Sequence, residues 1–248
     1  MKIGIIGGSG LDDPDILKDP KEIEISTDYG TPSSCLMAGK IFGVETVLLA
    51  RHGRNHQYSP SQVNNRANIK ALQHADVTHI IATTACGSLR QEIDRGHLVI
   101  LDQFIDFTRF RKNTFVESFE NGPIHTAMAH PFDEKLRKTL YKTAKHLELK
   151  VHDKGCVVTI EGPRFSTVAE SKMFRIWGAD VINMSTAPEV MLANEAGIPY
   201  AAVAMSTDYD CWKEDEAPVT WDEILSVFKQ NADNVKTLIV DAIKELLE

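Results

Sequence analysis

The sequence predicts an α/β fold in which a mostly parallel or mixed β-sheet is flanked by helices. Short apolar runs alternate with segments of helical periodicity along the chain. Several runs are apolar at consecutive positions, which is typical of strands covered on both faces. The helical segments open with capping motifs and close at glycines. Because ligands of such sheets bind beyond the carboxyl ends of the strands, the residues that follow each strand are the first candidates for a site.

Seven strands are predicted from the apolar runs, each bounded by turn-forming or polar residues. They are Ile3–Ile6, Thr46–Ala50, Thr78–Thr83, Leu98–Ile105, Val157–Ile160, Val181–Met184 and Tyr200–Ser206. Such strands, separated by helices, predict parallel pairing for much of the sheet.

The helices are predicted from their ends and their apolar stripes. Three capping boxes mark helix starts: Thr167-x-x-Glu170, Thr186-x-x-Glu189 and Thr220-x-x-Glu223. The first two of these helices are expected to end at Gly178 and Gly197. A further helix, Asp133–Leu147, carries apolar residues on one stripe, namely Leu136, Leu140, Ala144 and Leu147. The last helix is expected to bury Ile224, Leu225, Phe228, Val235, Ile239, Ile243 and Leu246.

Composition narrows the class of protein. A chain of 248 residues with 43% hydrophobic residues is long enough for one large α/β domain. Its net charge of −8 argues against a general binder of nucleic acid or of acidic membranes. No apolar run has membrane-spanning length, and the N-terminal run is too short for a signal peptide. The four cysteines are scattered without a Cys-x-x-Cys pair, which predicts free thiols in a reducing cytoplasm and no zinc site.

Three predicted strands are followed by groups that bind anions. These segments are Gly7-Gly8-Ser9-Gly10, Arg51-His52-Gly53-Arg54 and Thr84-Ala85-Cys86-Gly87-Ser88. The first fits neither a dinucleotide fingerprint nor a P-loop, and by itself it is equally typical of a tight turn. The second is equally typical of a solvated charge cluster, and the His52/His56 spacing lacks the rest of a zinc motif. Together the three exits predict a site for phosphate or a phosphate ester.

Two carboxylates close the strand that starts at Tyr200. Asp208 and Asp210 lie two residues apart, so continued strand geometry places them on one face and Tyr209 on the other. One of two like charges so close together holds its proton more tightly and can donate it. The alternative is an ordinary acidic turn at the end of a strand.

Three other segments have two interpretations each. Phe165, in Glu161-Gly162-Pro163-Arg164-Phe165-Ser166-Thr167, either stacks on a flat heterocycle or is part of the core. The segment Asn183–Glu189 is either a strand exit that binds a ligand or only the start of a helix. Arg109-Phe110-Arg111-Lys112 is too short, in an acidic chain, to indicate nucleic-acid binding, and we interpret it as a solvated loop or a subunit contact.

These motifs, in this order, resemble the trimeric purine nucleoside phosphorylases, and most closely their 5′-methylthioadenosine phosphorylase branch. The similarity extends from Ile3 to the last helix. It implies one nucleoside phosphorylase domain over residues 1–248, with a mixed, partly barrel-like central sheet surrounded by helices. It implies a pentosyltransferase of purine and methionine salvage that is a homotrimer or a dimer of trimers. It also implies inorganic phosphate as a co-substrate, with no metal and no organic cofactor.

The resemblance assigns roles residue by residue. Phosphate contacts are implied for Ser9, Arg51, His52, Thr84, Ala85 and Ser185. Nucleoside contacts are implied for Phe165, Ser166, Met184, Asp208 and Asp210, with Phe165 stacked on the purine and Met184 at the ribose. Asp210 is the implied general acid at purine N7, and Asp208 the acceptor for the 6-amino group. His125 and Trp221 are the implied residues of the 5′ pocket, to which a neighbouring subunit contributes. The alternative for Trp221 is that it only packs at the start of the last helix.

Substrate choice rests on Asp208. A carboxylate accepts a hydrogen bond from an exocyclic amino group but repels a carbonyl oxygen, and the 6-oxopurine branch has Asn at this position. Asp208 therefore favours adenine nucleosides. The chain ends at Glu248, without the C-terminal extension that caps the 5′ pocket in some members, so adenosine is a second candidate substrate. The alternatives are a phosphorylase of 6-oxopurine nucleosides or methylthioinosine, and a purine-binding regulator without turnover.

Overall fold

The computed structural model describes residues 1–8, 14–120, 122–215 and 220–247. Within these residues, eleven strands form one mixed sheet, and five α-helices pack on its two faces. The strands are β1 Lys2–Gly7, β2 Lys18–Ile23, β3 Leu36–Ile41, β4 Val44–Ala50, β5 His79–Ser88, β6 Leu98–Ile100, β7 Gln103–Phe107, β8 Val151–His152, β9 Cys156–Ile160, β10 Val181–Asn183 and β11 Tyr200–Tyr209. The helices are α1 Asn65–His74, α2 Glu134–His146, α3 Val168–Ile176, α4 Thr186–Glu195 and α5 Trp221–Glu245, with a 3-10 turn at Pro14–Ile16.

Strand β5 is the centre of the sheet. It pairs in parallel with β1 and β11 and antiparallel with β10. One branch continues through β10, β9 and β7, and another through β11, β6 and β8, while β1, β4, β3 and β2 form the open side. Because β6 and β7 follow each other along the chain, the two branches meet and close a ring of strands. The predicted mixed, partly barrel-like sheet is therefore confirmed.

The predicted strand Leu98–Ile105 is two strands, and that prediction was wrong at its centre. The backbone N–H of Leu101 donates to the Ala202 carbonyl at 3.1 Å, whereas the N–H of Asp102 donates to the Gly155 carbonyl at 3.3 Å. The Asp102 carboxylate also accepts from the Gly155 N–H at 2.9 Å. The chain thus changes hydrogen-bonding partners here, from β11 to the β9 side. An apolar run carries no signal of such a change.

Two further differences concern strand ends and edge strands. Strands β5 and β11 run beyond their predicted ends, so Thr84 to Ser88 and Thr207 to Tyr209 lie within the strands themselves. The edge strand β2, with the sequence KDPKEI, is mostly exposed and was not predicted, nor were β3, β8 and α1. Charged residues and proline are typical of edge strands, and they hide the apolar pattern on which prediction depends.

The helices cover the two faces of the sheet. Helix α2 buries Leu136, Leu140 and Ala144 against α5, which buries Val235, Ile239 and Ile243 on the same face as predicted. Helices α1 and α4 pack on the other face. The side chains of Ile224 and Leu225 lie outside the described ones. No helix in the described parts of the chain is both long and apolar enough for a membrane span.

The capping predictions have three different outcomes. The Thr167/Glu170 box is confirmed, and Gly178 and Gly197 follow α3 and α4 with φ of +90° and +69°. The Thr186/Glu189 box was wrong, because Ser185 is the N-cap residue and the α4 start is kinked at Ala187. Tertiary bonds explain the kink, since the Ala187 N–H donates to the Thr159 hydroxyl at 3.1 Å. Helix α5 begins next to Thr220, but the side chain of Glu223 lies outside the described ones.

Candidate active site

A cleft of about 500 Å³ lies where β4, β5, β9, β10 and β11 end or pass. It is lined by ten of the predicted site residues: Arg51, His52, Thr84, Ala85, Phe165, Ser166, Met184, Ser185, Asp208 and Asp210. The loop after β4 adds a wall that the sequence did not predict, from His56 to Pro60 together with Gln62. Distant parts of the chain therefore meet in one concave site, the usual location for a small ligand.

Three predicted site residues are not among those that line the cleft. Ser9 lies outside the described residues. Trp221 begins α5, and its side chain lies outside the described ones as well. His125 is exposed on the segment between β7 and α2, where its ring meets the edge of Phe119 with centroids 5.5 Å apart.

Asp208 and Asp210 both face the cleft, as strand alternation predicts. A β-bulge at Thr207 interrupts the β11–β5 register, and the Thr207 hydroxyl donates to Asp208 at 2.7 Å. The Ser166 hydroxyl lies 2.7 and 2.6 Å from the two oxygens of Asp210. A Cβ added to Gly87 would lie 3.2 Å from the Asp208 carboxylate and 3.6 Å from the Asp210 Cβ. Glycine at this position thus leaves room for both acids on one side of β5.

A cluster of hydroxyls surrounds Thr84, which lies on the same strand three residues before Gly87. Asn183 organises it by donating to the hydroxyls of Thr84 at 3.1 Å and Thr186 at 2.6 Å. Its carbonyl oxygen accepts from the Thr159 hydroxyl at 2.8 Å, which fixes the orientation of the amide. The hydroxyls of Thr84 and Ser185 are 2.8 Å apart. Asn183 therefore holds two predicted phosphate contacts side by side.

Arg51 takes part in a buried ion pair that the sequence did not predict. Its Nε and Nη2 donate to Glu189 at 2.8 and 2.9 Å, and its Nη1 donates to the Thr83 carbonyl at 2.8 Å. The Tyr200 hydroxyl donates to the same carboxylate at 2.6 Å. Burial acts to lower the pKa of Arg51, but the Glu189 carboxylate outweighs it and raises that pKa. Among the described residues, Arg51 makes these three donations, so two of its five guanidinium N–H groups are available for an anion in the cleft.

The Phosphorylase superfamily model matches residues 2–244. The chain belongs to the Phosphorylase superfamily. It is 55% identical to the S-methyl-5′-thioadenosine phosphorylase of Xenopus tropicalis over 99% of this chain and 89% of the relative. The corresponding figures for the Danio rerio protein of that name are 53%, 100% and 90%.

Solved structures of the Phosphorylase superfamily agree with this fold. Methylthioadenosine phosphorylase from Schistosoma mansoni in complex with adenine superposes with a TM-score of 0.94 at 40% identity, covering 99% of this chain and 91% of that one. A mutant adenosine/methylthioadenosine phosphorylase from the same organism, in complex with methylthioadenosine, gives a TM-score of 0.93, also at 40% identity, over 99% of this chain and 91% of that one. The expected resemblance to the 5′-methylthioadenosine phosphorylase branch is confirmed.

In this member of the Phosphorylase superfamily, His52 is held as a neutral hydrogen-bond acceptor. Its Nδ1 lies 2.9 Å from the Tyr58 carbonyl, which only accepts, so Nδ1 carries the proton and Nε2 keeps its lone pair. Burial, the charge of Arg51, and smaller effects of His56 and Arg111 lower the pKa of His52 to about 4. Near neutral pH, Nε2 can therefore accept from a protonated phosphate oxygen or a sugar hydroxyl.

His52 also makes stability depend on pH. Its folded-state pKa of about 4 lies below the ordinary histidine value of 6.5, so the unfolded chain binds this proton first as the pH falls. The stability that depends on a neutral His52 in the folded state is fully present above pH 6.5 and is lost between pH 6.5 and pH 4. We expect His52→Asn to lose less Tm than the wild type between pH 7.5 and pH 5, measured by scanning calorimetry. Equal losses would contradict the assignment, and the comparison cancels the contributions of other histidines.

Arg111 contradicts the expectation for its segment. Phe110 is exposed, in keeping with a loop or contact surface, but the Arg111 side chain is only 3% exposed and reaches beneath the cleft. The prediction of a solvated loop or subunit contact was therefore wrong for this residue. Nothing in the local sequence separates Arg111 from its charged neighbours.

In the described parts of the chain, no group of three or more His, Cys, Asp or Glu residues is arranged to hold a metal ion.

Proposed function

We propose that the chain cleaves 5′-methylthioadenosine with inorganic phosphate, giving adenine and 5-methylthioribose 1-phosphate. The observation that carries the proposal is the layout of the cleft along β5. The hydroxyl cluster lies at Thr84 and the two acids lie beside Gly87, three residues further on, or roughly 10 Å at strand spacing. A nucleoside fits between them with its base at the acids and its anomeric carbon at the phosphate. The names of the relatives support the same reaction.

The proposed chemistry assigns one task to each end of the cleft. Phosphate is held by Arg51, Thr84 and Ser185, and one of its oxygens forms the bond to C1′ as the C1′–N9 bond breaks. The phosphate anion stabilises the oxocarbenium-like transition state from below. Electrons move into the purine, and Asp210 gives its proton to N7, so adenine leaves neutral. Phosphate is the co-substrate, and no metal or organic cofactor takes part in the proposal.

The remaining side chains bind the nucleoside. Phe165 is 47% exposed at the edge of the cleft, a position from which its ring can stack on a purine. The Ser166 hydroxyl fixes Asp210 by its two short contacts, and Met184 lies beside the phosphate loop, where the ribose would be. Ser9, Ala85 and His52 stay proposed phosphate contacts. His52, as an acceptor, suits a phosphate that still carries a proton.

The proposal is tested by following base release from three nucleosides. We expect phosphate-dependent release of adenine from methylthioadenosine and a slower or similar release from adenosine, which is a named substrate of the Schistosoma neighbours. Inosine should be a poor substrate because its 6-oxo group faces Asp208. Absence of phosphate-dependent adenine release would favour a purine-binding regulator, and faster turnover of inosine would favour a 6-oxopurine phosphorylase.

Asp208→Asn tests how the base is read. The amide can donate to a 6-oxo group, so the ratio of kcat/KM for methylthioadenosine over methylthioinosine should fall by about 5- to 150-fold, equivalent to ~1–3 kcal/mol for a mispaired buried polar group. Steady-state assays of both nucleosides measure the ratio. The KM for phosphate is the internal control and should change by less than about threefold. An unchanged ratio would refute the role of Asp208.

The assembly and the 5′ pocket are parts of the same proposal. We take the whole chain as one catalytic domain that forms a homotrimer or a dimer of trimers, with His125 and Trp221 at 5′ pockets completed by a neighbouring subunit. Exposed apolar side chains support an interface, among them Phe110, Phe119, Ile124 and Ile176. Sedimentation of the full chain tests the proposed assembly, and a monomer would contradict it.

All four cysteines are free, which supports the proposed cytoplasmic location.

A further inference from the structure

Arg111 uses every N–H of its guanidinium on the floor of the cleft. Its Nη1 donates to the carbonyls of Met184 at 2.7 Å and Ala187 at 2.9 Å. Its Nη2 donates to the carbonyls of Glu161 at 2.7 Å and Ile160 at 3.3 Å. The Nε donates to the Glu161 carboxylate at 3.4 Å. One buried cation therefore binds four main-chain carbonyls. Two belong to the end of β9 and the loop after it, and two belong to the loop after β10 and the kinked start of α4.

The two loops carry opposite halves of the proposed site. The loop after β9 leads from Glu161 to Phe165, the proposed stacking partner of the base, and to Ser166, whose hydroxyl holds Asp210. The loop after β10 carries Met184 and Ser185, which line the cleft where the sugar and the phosphate are proposed to bind. Strand pairing joins β9 and β10 themselves but ends at Asn183. Beyond that residue, Arg111 is a direct polar link between the base side and the phosphate side.

The same bonds set the direction of the peptide groups. Carbonyl and N–H of one trans peptide point in opposite directions, so holding the Met184 carbonyl on Arg111 turns the Ser185 N–H away from Arg111. The Glu161 carboxylate is in turn held by the backbone N–H groups of Arg109 at 2.7 Å and Phe110 at 3.2 Å. The guanidinium is thus fixed from its own segment as well. Lysine, with three donors and no planar fork, cannot reproduce this arrangement.

We propose that Arg111 is a positioning residue that sets the base-binding loop at the correct distance and angle from the phosphate-binding loop. This inference rests on the proposed function, because it assigns the two loops to the two reacting partners. Phosphate and nucleoside can each bind without Arg111, but the attacking oxygen and C1′ then meet in the wrong geometry. The loss should appear in kcat and leave the binding of either partner alone nearly unchanged.

Arg111→Lys, which keeps the charge, is the primary test. We expect kcat for methylthioadenosine to fall roughly 100-fold, the effect of a misplacement of about 1 Å between reacting groups. Adenine binding by calorimetry, and sulfate binding as a stand-in for phosphate, should each stay within about threefold of the wild type. Arg111→Ala with added guanidinium ion is the second variant. It should regain part of its kcat, whereas sodium chloride at the same ionic strength should not restore it.

Arg90→Lys is the matched control. Arg90 is also partly buried and donates to the Asp180 carboxylate at 2.8 Å and the Arg175 carbonyl at 3.5 Å, away from the cleft. It should lower Tm through the loss of these bonds, with kcat within about threefold of the wild type.

Three results would overturn the inference. They are an Arg111→Lys kcat within threefold of the wild type, a loss of adenine and sulfate binding in proportion to the loss of kcat, and an equal loss of kcat in Arg90→Lys. The activity of the wild-type enzyme distinguishes failure of the Arg111 inference from failure of the proposed function. If the wild type releases adenine, only the role of Arg111 is in question. If the wild type releases no adenine, the reaction itself is wrong, and the inference is overturned with it.

Discussion

Asp210→Asn is expected to lower kcat for phosphorolysis of methylthioadenosine by roughly 10²–10⁴-fold, the range for loss of a general acid. The substitution is nearly isosteric. The Ser166 hydroxyl can still donate to the amide oxygen, and the backbone N–H of residue 210 keeps its 3.0 Å bond to the Ser88 carbonyl. The amide cannot release a proton to purine N7, so only the chemical step is removed. Single-turnover measurements with excess enzyme report that step directly.

Two controls make the Asp210 prediction specific. Asp94→Asn removes a carboxylate that accepts from the Tyr209 hydroxyl at 3.2 Å, on the side of β11 away from the cleft, and should change kcat by less than about threefold. A 4-nitrophenyl riboside has a leaving group that needs no proton, so Asp210→Asn should cleave it at nearly the wild-type rate. Two results would contradict the assignment of Asp210 as the general acid. One is wild-type turnover of methylthioadenosine in the variant, and the other is an equal loss of kcat with both substrates.

Glu189→Gln is expected to lower the free energy of unfolding by about 3–5 kcal/mol, the cost of leaving a buried charge without its partner. Glu189 is fully buried, and Arg51 is 2% exposed. The amide cannot neutralise the guanidinium that now donates to both carboxylate oxygens, and it keeps only one acceptor oxygen for the donors of Arg51 and Tyr200. Urea unfolding at pH 7.5 measures the change, with both proteins at one concentration because assembly shifts apparent stability.

An exposed ion pair provides the comparison for Glu189. Arg164 and Glu170 also form a bidentate pair, with both contacts at 2.7 Å, but the Arg164 side chain is 62% exposed. Arg164→Ala should therefore destabilise the protein far less than Glu189→Gln does, because water replaces the lost contacts. The double variant Arg51→Met with Glu189→Leu should recover much of the lost stability, since an apolar pair leaves no buried charge. If Glu189→Gln lowers the free energy of unfolding by less than about 1 kcal/mol, the stabilising role of the buried pair with Arg51 is contradicted.

Most of the predicted site residues line the cleft, because polar segments beside strands converge on one edge of a sheet. Asp208 and Asp210 are two residues apart on an extended strand, so their common face follows from alternation. The hydroxyl of Thr84 and the segment from Asn183 to Ser185 were also identified. Their mutual geometry was not, because the 2.8 Å contact between Thr84 and Ser185 joins residues 101 positions apart.

The helix starts show where local prediction stops. Thr167 and Glu170 form their box, and Glu170 also binds Arg164, a local and exposed partner six positions away that leaves the box intact. Thr186 and Glu189 have the same spacing, yet Thr186 accepts from Asn183, and Glu189 binds Arg51, 138 residues away. A charge-assisted bond between buried groups is stronger than a capping bond at a helix end. The same sequence motif therefore has two outcomes, decided by which groups the fold brings near.

The sequence by itself determined the α/β class, the helices with strong local signals, the family, and the residue types proposed to bind base and phosphate. Each of these depends on neighbours within a few positions or on motifs kept in order along the chain. Only the tertiary structure decided that Arg51 is neutralised by Glu189, that His52 presents a lone pair, and that Arg111 joins two loops from beneath. These states arise from burial and from hydrogen bonds across long stretches of chain, and neither leaves a periodic trace in the sequence.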